Sequence, residues 1–130
     1  MLLDTHVLLW LLMADRQLGP SARRALREAA SPAYISAASA WEIAIKVAAG
    51  RLRAPDQLLE RTARAGLEWI PATAQHAWSV SGLRGLSHAD PFDRLLVAQA
   101  AQEGLTLLTA DRAIHAATLT PSISVLDARL

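Results

Sequence analysis

Residues 91–111 read PFDRLLVAQAAQEGLTLLTAD. Pro91 suits the first turn of a helix, where its missing N–H breaks no hydrogen bond, and Gly104 suits the position just past the last turn. The pattern predicts a helix over 91–103 and then a strand over 105–109, LTLLT, built of apolar and β-branched residues. A strand so short and so apolar, entered directly from a helix, belongs in a sheet covered on both faces.

The same alternation extends in both directions from this unit. Met1 to Leu3 reads as a short apolar strand, followed by a helix from Thr5 to about Ala14 that Gly19 and Pro20 bring to a close. Pro20 and Ser21 open a polar helix to about Ala30, and Ser31 and Pro32 separate it from the strand Tyr34 to Ser36. A helix over Ser39 to Ala49, capped by Ser39 and stopped by Gly50, comes next. Asp56 to Ala65 is helical, Leu67 to Ile70 is a strand between Gly66 and Pro71, and Thr73 to Ser81 is helical by periodicity. A loop over Gly82 to Asp90 leads into the 91–103 helix. Beyond the 105–109 strand, a short helix from Asp111 to about Ala117 and a strand around Ser124 to Leu126 complete the chain. Strands alternating with helices require right-handed crossovers, so the expected fold class is three-layer α/β, with a mainly parallel twisted sheet of four to five short strands flanked by helices. The 130 residues fit one domain spanning 1–130.

Composition narrows the function classes. The hydrophobic share is 52% with only 5% aromatic, so the core is aliphatic. A net charge of +1 does not mark a polyanion binder by bulk charge, so any such site must be local. With no cysteine, disulfides and thiolate metal sites are excluded, and a cytoplasmic location is expected. The apolar run from Val7 to Ala14 falls far short of the roughly 20 residues of a membrane span. It also lacks the basic flank and small-residue cleavage site of a signal peptide, having Asp4 where the positive charge belongs. No membrane association is expected.

Acidic residues are scarce, seven Asp and five Glu, yet four of them share one topological address. Asp4 follows the first strand, Glu42 lies one turn into the helix after the second, Asp93 lies in the first turn of the 91–103 helix, and Asp111 follows LTLLT. In a parallel sheet the carboxyl ends of strands and the amino ends of the following helices lie on one edge, where open α/β sheets take ligands. Two bare carboxylates about 8 Å apart repel by roughly 2 kcal/mol at an effective dielectric near 20. A divalent cation removes that cost. Oxygen ligands without Cys or paired His select Mg²⁺, or alternatively Mn²⁺, over Zn²⁺. The chemistry that follows is metal-assisted attack of water on a phosphodiester.

The stretches LLDTHVLLW, SAASAWEIAIK, HADPFDRLLVAQA and LTLLTAD, in this order, resemble the PIN-domain ribonucleases and, more narrowly, the VapC toxins of bacterial toxin–antitoxin pairs. The resemblance runs from residue 2 to about residue 127. It implies a PIN-like fold, a Mg²⁺ site formed by Asp4, Glu42, Asp93 and Asp111 that cleaves RNA, and a small cognate antitoxin that neutralises the enzyme. Apolar helices would then supply a homodimer face or the groove for the antitoxin.

Each acid also has a purely structural reading. Asp4 and Asp111 suit the N-caps of the helices they precede, and Asp93 could merely complement a helix dipole. Asp90, just ahead of Pro91, is the better cap, with a supporting rather than direct role towards the metal. Glu42 has apolar neighbours in sequence, and Lys46 four residues on either pairs with it or meets phosphate at the rim. Thr5 and Thr109 flank the acids closely enough to hydrogen-bond a carboxylate, and Arg94 either fixes an acid's rotamer or is a surface residue. His6, His76, His88 and His115 show no ligand spacing and read as structural or surface residues. Trp10, Trp41, Trp69 and Trp78 read as packing residues rather than base-stacking ones. Arg23, Arg24 and Arg27, Arg51 and Arg53, and Arg61 and Arg64 are candidates for phosphate contact.

Two other classes fit less well. A phosphoryl-transfer domain with an aspartate nucleophile wants a second Asp two residues after Asp4, where this chain has His6; a receiver domain wants a lysine on a late strand, and the only lysine is Lys46 on a helix. A catalytically silent PIN-like interaction module is the remaining alternative, and it gives no reason to keep four acids in one crevice.

Overall fold

A computed structural model describes residues 1–87 and 90–130. The strands are β1 (Leu2–Leu3), β2 (Tyr34–Ser36), β3 (Glu68–Ile70), β4 (Leu107–Thr109) and β5 (Val125–Asp127). The helices are α1 (Thr5–Leu12), α2 (Pro20–Glu28), α3 (Ala37–Ala48), α4 (Leu58–Arg64), α5 (Ala74–Ser79), α6 (Pro91–Glu103) and α7 (Arg112–Ala116). The strands form one parallel sheet in the order β3-β2-β1-β4-β5. β1 is therefore central, with Leu2 paired to Leu107 and Leu3 to Leu108.

Because successive strand residues face opposite ways, the paired leucines divide between two cores. Leu3, Ile35 and Leu108 pack with Val7 and Leu8 of α1 and Leu18 on one face. Leu2 and Leu107 pack with Leu96, Val97 and Ala100 of α6 and Ile114 of α7 on the other. These are the three layers that the alternating elements predict.

Several boundaries differ from the sequence reading, each for a local reason. Helix α1 stops at Leu12, because Met13 closes the helix and Ala14 turns into left-handed backbone with φ of 52°. Helix α3 begins at Ala37, and its cap is Ser36, whose hydroxyl accepts from Ala38 N at 3.0 Å. Ser39 is thus not the cap; it lies buried within the first turn, and its hydroxyl is committed elsewhere. The chain passes directly from β2 into α3, so the last strand residue takes the capping position. Helix α4 starts at Leu58 rather than Asp56, since Gln57 adopts left-handed backbone with φ of 55°. Strand β4 is shorter than expected because Leu105 N still donates to Ala100 O, finishing the helix through the left-handed Gly104. Strand β5 lies one residue later than expected, paired to β4 up to Thr109–Asp127. Among the described residues no helix is long and apolar enough to cross a membrane.

Candidate functional site

The edge formed by the carboxyl ends of β1, β2 and β4 carries a pocket of about 340 Å³. Asp4, Glu42, Asp93 and Asp111 all line it, together with Asp90 and Lys46. The four acids that sequence reasoning placed at one address do share one.

Local backbone chemistry positions each of them. Asp4 caps α1, with Oδ1 accepting from Thr5 N at 2.7 Å, and its other oxygen accepts from Thr109 Oγ1 at 2.6 Å. The β1–β4 ladder makes that second bond possible, since Asp4 N donates to Leu108 O and so draws Asp4 beside Thr109. Thr109 Oγ1 in turn accepts from Asp111 N at 3.0 Å, while Asp111 Oδ1 caps α7 by accepting from Ile114 N. One buried threonine thereby fixes two acids that are far apart in sequence. Asp90 caps α6, its Oδ1 accepting from Phe92 N and Asp93 N at 2.9 and 3.1 Å, and this presents Asp93 at the helix mouth.

Glu42 is buried at 4% exposure, and both of its oxygens are engaged. Oε1 lies 2.7 Å from Thr5 Oγ1, which is also 2.9 Å from Ser39 Oγ. A hydroxyl has one proton, so Thr5 donates to the carboxylate and Ser39 donates to Thr5. Lys46 Nζ bonds the other oxygen at 2.5 Å, the i to i+4 pair. Lys46 is partly exposed on the pocket wall, so this is a charge-assisted bond at the rim of a buried network.

Burial first, and then crowding of the carboxylates, appears in their acidities. Burial pushes Asp4 up, against hydrogen bonds from Thr109 and Thr5 and the charge of His6 that pull it down, with the Glu42 charge adding to the rise. Half-buried Asp93 is raised to about 7, first by burial and then by the charges of Asp4, Asp90, Asp111 and Glu42. Such a group exchanges a proton near neutrality, and a cation arriving in the pocket would compete for that oxygen.

Among the described residues, no three His, Cys, Asp or Glu side chains stand together as a ready coordination set. The carboxylate oxygens of Asp4, Glu42, Asp93 and Asp111 nevertheless suit Mg²⁺ or Mn²⁺, and the pocket has room for water ligands. Asp4 and Glu42 would each meet such an ion with both oxygens already accepting hydrogen bonds, from Thr5 and Thr109 in the one and from Thr5 and Lys46 in the other.

Arg94 donates to Leu86 O at 3.2 Å and so ties α6 to the preceding loop. His76 completes a capping box with Thr73 and lies 2.7 Å from Glu103, and His115 lies 2.8 Å from Thr109 O, both structural uses. His88 falls outside the described residues. Arg23 is not a free surface cation, since it donates to Leu18 O and Asp15 O. Trp10 is buried, but Trp41 and Trp78 are 62% and 80% exposed, so these two are not core residues. Trp41 packs edge-on against Phe92 at 5.3 Å between ring centroids.

Sequence reasoning missed five further wall residues: His6, Trp10, Gln17, Ala110 and Arg129. His6 and Trp10 are an i, i+4 pair on α1, so fixing Asp4 at the start of that helix carried a usable signal for them. Gln17 and Arg129 arrive through loop backbone and carry no local pattern.

The sequence matches the family model of the PIN domain over residues 1–118. The chain belongs to the PIN domain family. No curated protein matches its sequence. Solved structures resemble this PIN domain at low identity. VapBC2 from Rickettsia felis, bound to a DNA fragment from its promoter, aligns at 14% identity and a TM-score of 0.64, covering 97% of this chain and 96% of that one. DNA-bound VapBC from Salmonella typhimurium aligns at 20% identity and a TM-score of 0.67 over the same shares of the two chains. A toxin–antitoxin complex from Klebsiella pneumoniae aligns at 20% identity and a TM-score of 0.57, covering 85% of each chain. At such identities the likeness carries the fold of this PIN domain.

Proposed function

We propose that this chain is a Mg²⁺-dependent endoribonuclease, with Mn²⁺ as a possible substitute, and that it is the toxin of a toxin–antitoxin pair. The observation that carries the reading is the gathering of Asp4, Glu42, Asp93 and Asp111, from four separate elements, in one pocket where burial first and then the neighbouring carboxylates raise the Asp93 carboxyl to about 7. Carboxylates crowded at a cost serve a function that needs them, and PIN-domain membership points to nuclease chemistry.

In this reading Asp4, Glu42, Asp93 and Asp111 would hold the cation, with Glu42 oriented by its bonds to Thr5 and Lys46. The bound cation supplies Lewis acidity, making water a competent nucleophile at neutral pH and offsetting charge on the phosphate. Thr109 keeps Asp4 and Asp111 in register, so neither carboxylate needs to reorganise when the substrate arrives. Asp93 must release its proton to bind the ion, which links activity to pH. Residues 1–130 act as one nuclease domain in the cytoplasm. A small antitoxin is the partner, as in the toxin–antitoxin complexes of the same fold, and a homodimer is the working form.

The test is digestion of total RNA by the purified chain. Discrete fragments that appear with Mg²⁺ or Mn²⁺ and vanish with EDTA are expected. Intact RNA under every divalent ion, from folded protein free of a bound partner, would overturn the reading.

A further inference from the structure

An RNA strand approaching this pocket meets a ring of carboxylates, so the site needs cations of its own to hold phosphate. Lys46 is committed to Glu42, Arg94 to a main-chain carbonyl, and Arg112 stands 3.5 Å from Asp127. Arg129 is different. It is exposed, it lines the carboxylate pocket, and its guanidinium carbon sits 5.3 Å from the centre of the Trp10 ring, which forms part of the same wall.

The backbone around Arg129 is held from several sides. Ala128 is fully buried, its N donating to Thr109 O at 3.0 Å and its carbonyl accepting from Gly19 N at 2.9 Å. Leu130 O accepts from Ser21 N at 2.8 Å, and Asp127 Oδ1 accepts from Arg129 N at 2.8 Å. The approach to Gly19 is so close that a Cβ there would lie 2.4 Å from Arg129 O. Thr109, which fixes Asp4 and Asp111, thus also anchors this segment. A ring contact restrains a guanidinium while leaving its N–H edges able to take a phosphate oxygen pair. The sheet order puts Lys46, reached from β2, and Arg129, reached from β5, on opposite sides of the central β1–β4 pair that carries Asp4 and Asp111.

We infer that Arg129, braced on Trp10, is a phosphate-binding residue that grips the RNA backbone on the β5 side of the carboxylate pocket. The inference rests on the nuclease reading above and adds to it the direction in which the strand crosses the site. Arg129 positions the strand and touches neither the cation nor the attacking water.

The test is RNA binding by R129Q and R129K, made in an Asp93→Asn background that cannot cleave, using a labelled single-stranded RNA of random sequence over a range of salt concentrations. R129Q is expected to bind about three- to tenfold more weakly and to lower the slope of log affinity against log salt by about 0.7, the share of one single-strand phosphate contact. R129K is expected to keep the slope and recover part of the affinity. Both variants should unfold at the parent's temperature, since the side chain is exposed. With Asp93 intact, R129Q should raise KM and leave unchanged the Mg²⁺ concentration giving half-maximal cleavage. Unchanged affinity and slope in R129Q would overturn the inference, as would a shifted Mg²⁺ requirement. If the parent cleaves RNA with metal and R129Q behaves like it, only the role of Arg129 fails. If the parent neither cleaves nor binds RNA, the nuclease reading fails and the inference with it.

Discussion

Asp4→Asn is expected to leave the chain folded while RNA cleavage falls by roughly 10²–10³-fold or more, the scale on which single preorganised charged groups act in catalysis. Asp4 is 6% exposed, and burial raises its carboxyl, so its charge is costly to hold in the folded chain. The amide keeps the hydrogen-bond geometry towards Thr5 N and can donate to Thr109 Oγ1, so neither the cap nor the link to β4 should be lost. Removing a costly charge at constant shape should leave stability at pH 8 equal to or above that of the parent, as thermal unfolding would show. Metal-dependent cleavage at the parent rate by this variant would exclude Asp4 from the site.

The second large effect is a dependence on pH through Asp93. Its folded-state value of about 7 lies above the ordinary 3.8, so between these pH values the folded chain binds more protons than the unfolded one. Stability without metal therefore falls as pH rises from about 4 to about 7, by about 1–2 kcal/mol once the partial exposure of the carboxyl is discounted. Asp93→Asn should flatten that slope and unfold at a higher temperature than the parent at pH 8. Mg²⁺ should reverse the trend in the parent, stabilising it more at pH 8 than at pH 6, because the ion must displace the proton. Urea unfolding across this range, with and without Mg²⁺, measures both. A parent that gains stability from pH 5 to pH 7 in the absence of metal would contradict the assignment.

Much of this site was legible because its residues are tied to element ends. Pro91 and Gly104 bracket α6, Asp90 takes the cap just ahead of Pro91, and Asp93 falls in the first turn. Asp4 and Asp111 each follow a strand directly, so their capping role and their place on the carboxyl edge come from one feature. The Glu42–Lys46 pair follows from helical spacing alone. Features set by tertiary contact were not legible. Ser39 looked like the natural cap of α3, but Ser36 took that place, and the Ser39 hydroxyl went to Thr5, 34 residues away. The exposure of Trp41 and Trp78 was unreadable, since an apolar residue beside other apolar residues signals burial whether or not an element covers it. Arg129 reaches the pocket only because the chain after β5 is bound to Gly19 and Ser21, a closure without periodicity or motif.

The central claim is that these carboxylates form one divalent-cation site. Its most direct test is titration of Mn²⁺ into the purified chain at pH 8, followed by electron paramagnetic resonance of the free ion, with the parent and Asp93→Asn compared. Saturable binding by the parent, competed by Mg²⁺ and weakened at least about tenfold in Asp93→Asn, is the predicted result. Equal Mn²⁺ binding by the two proteins, or none by either, would contradict it.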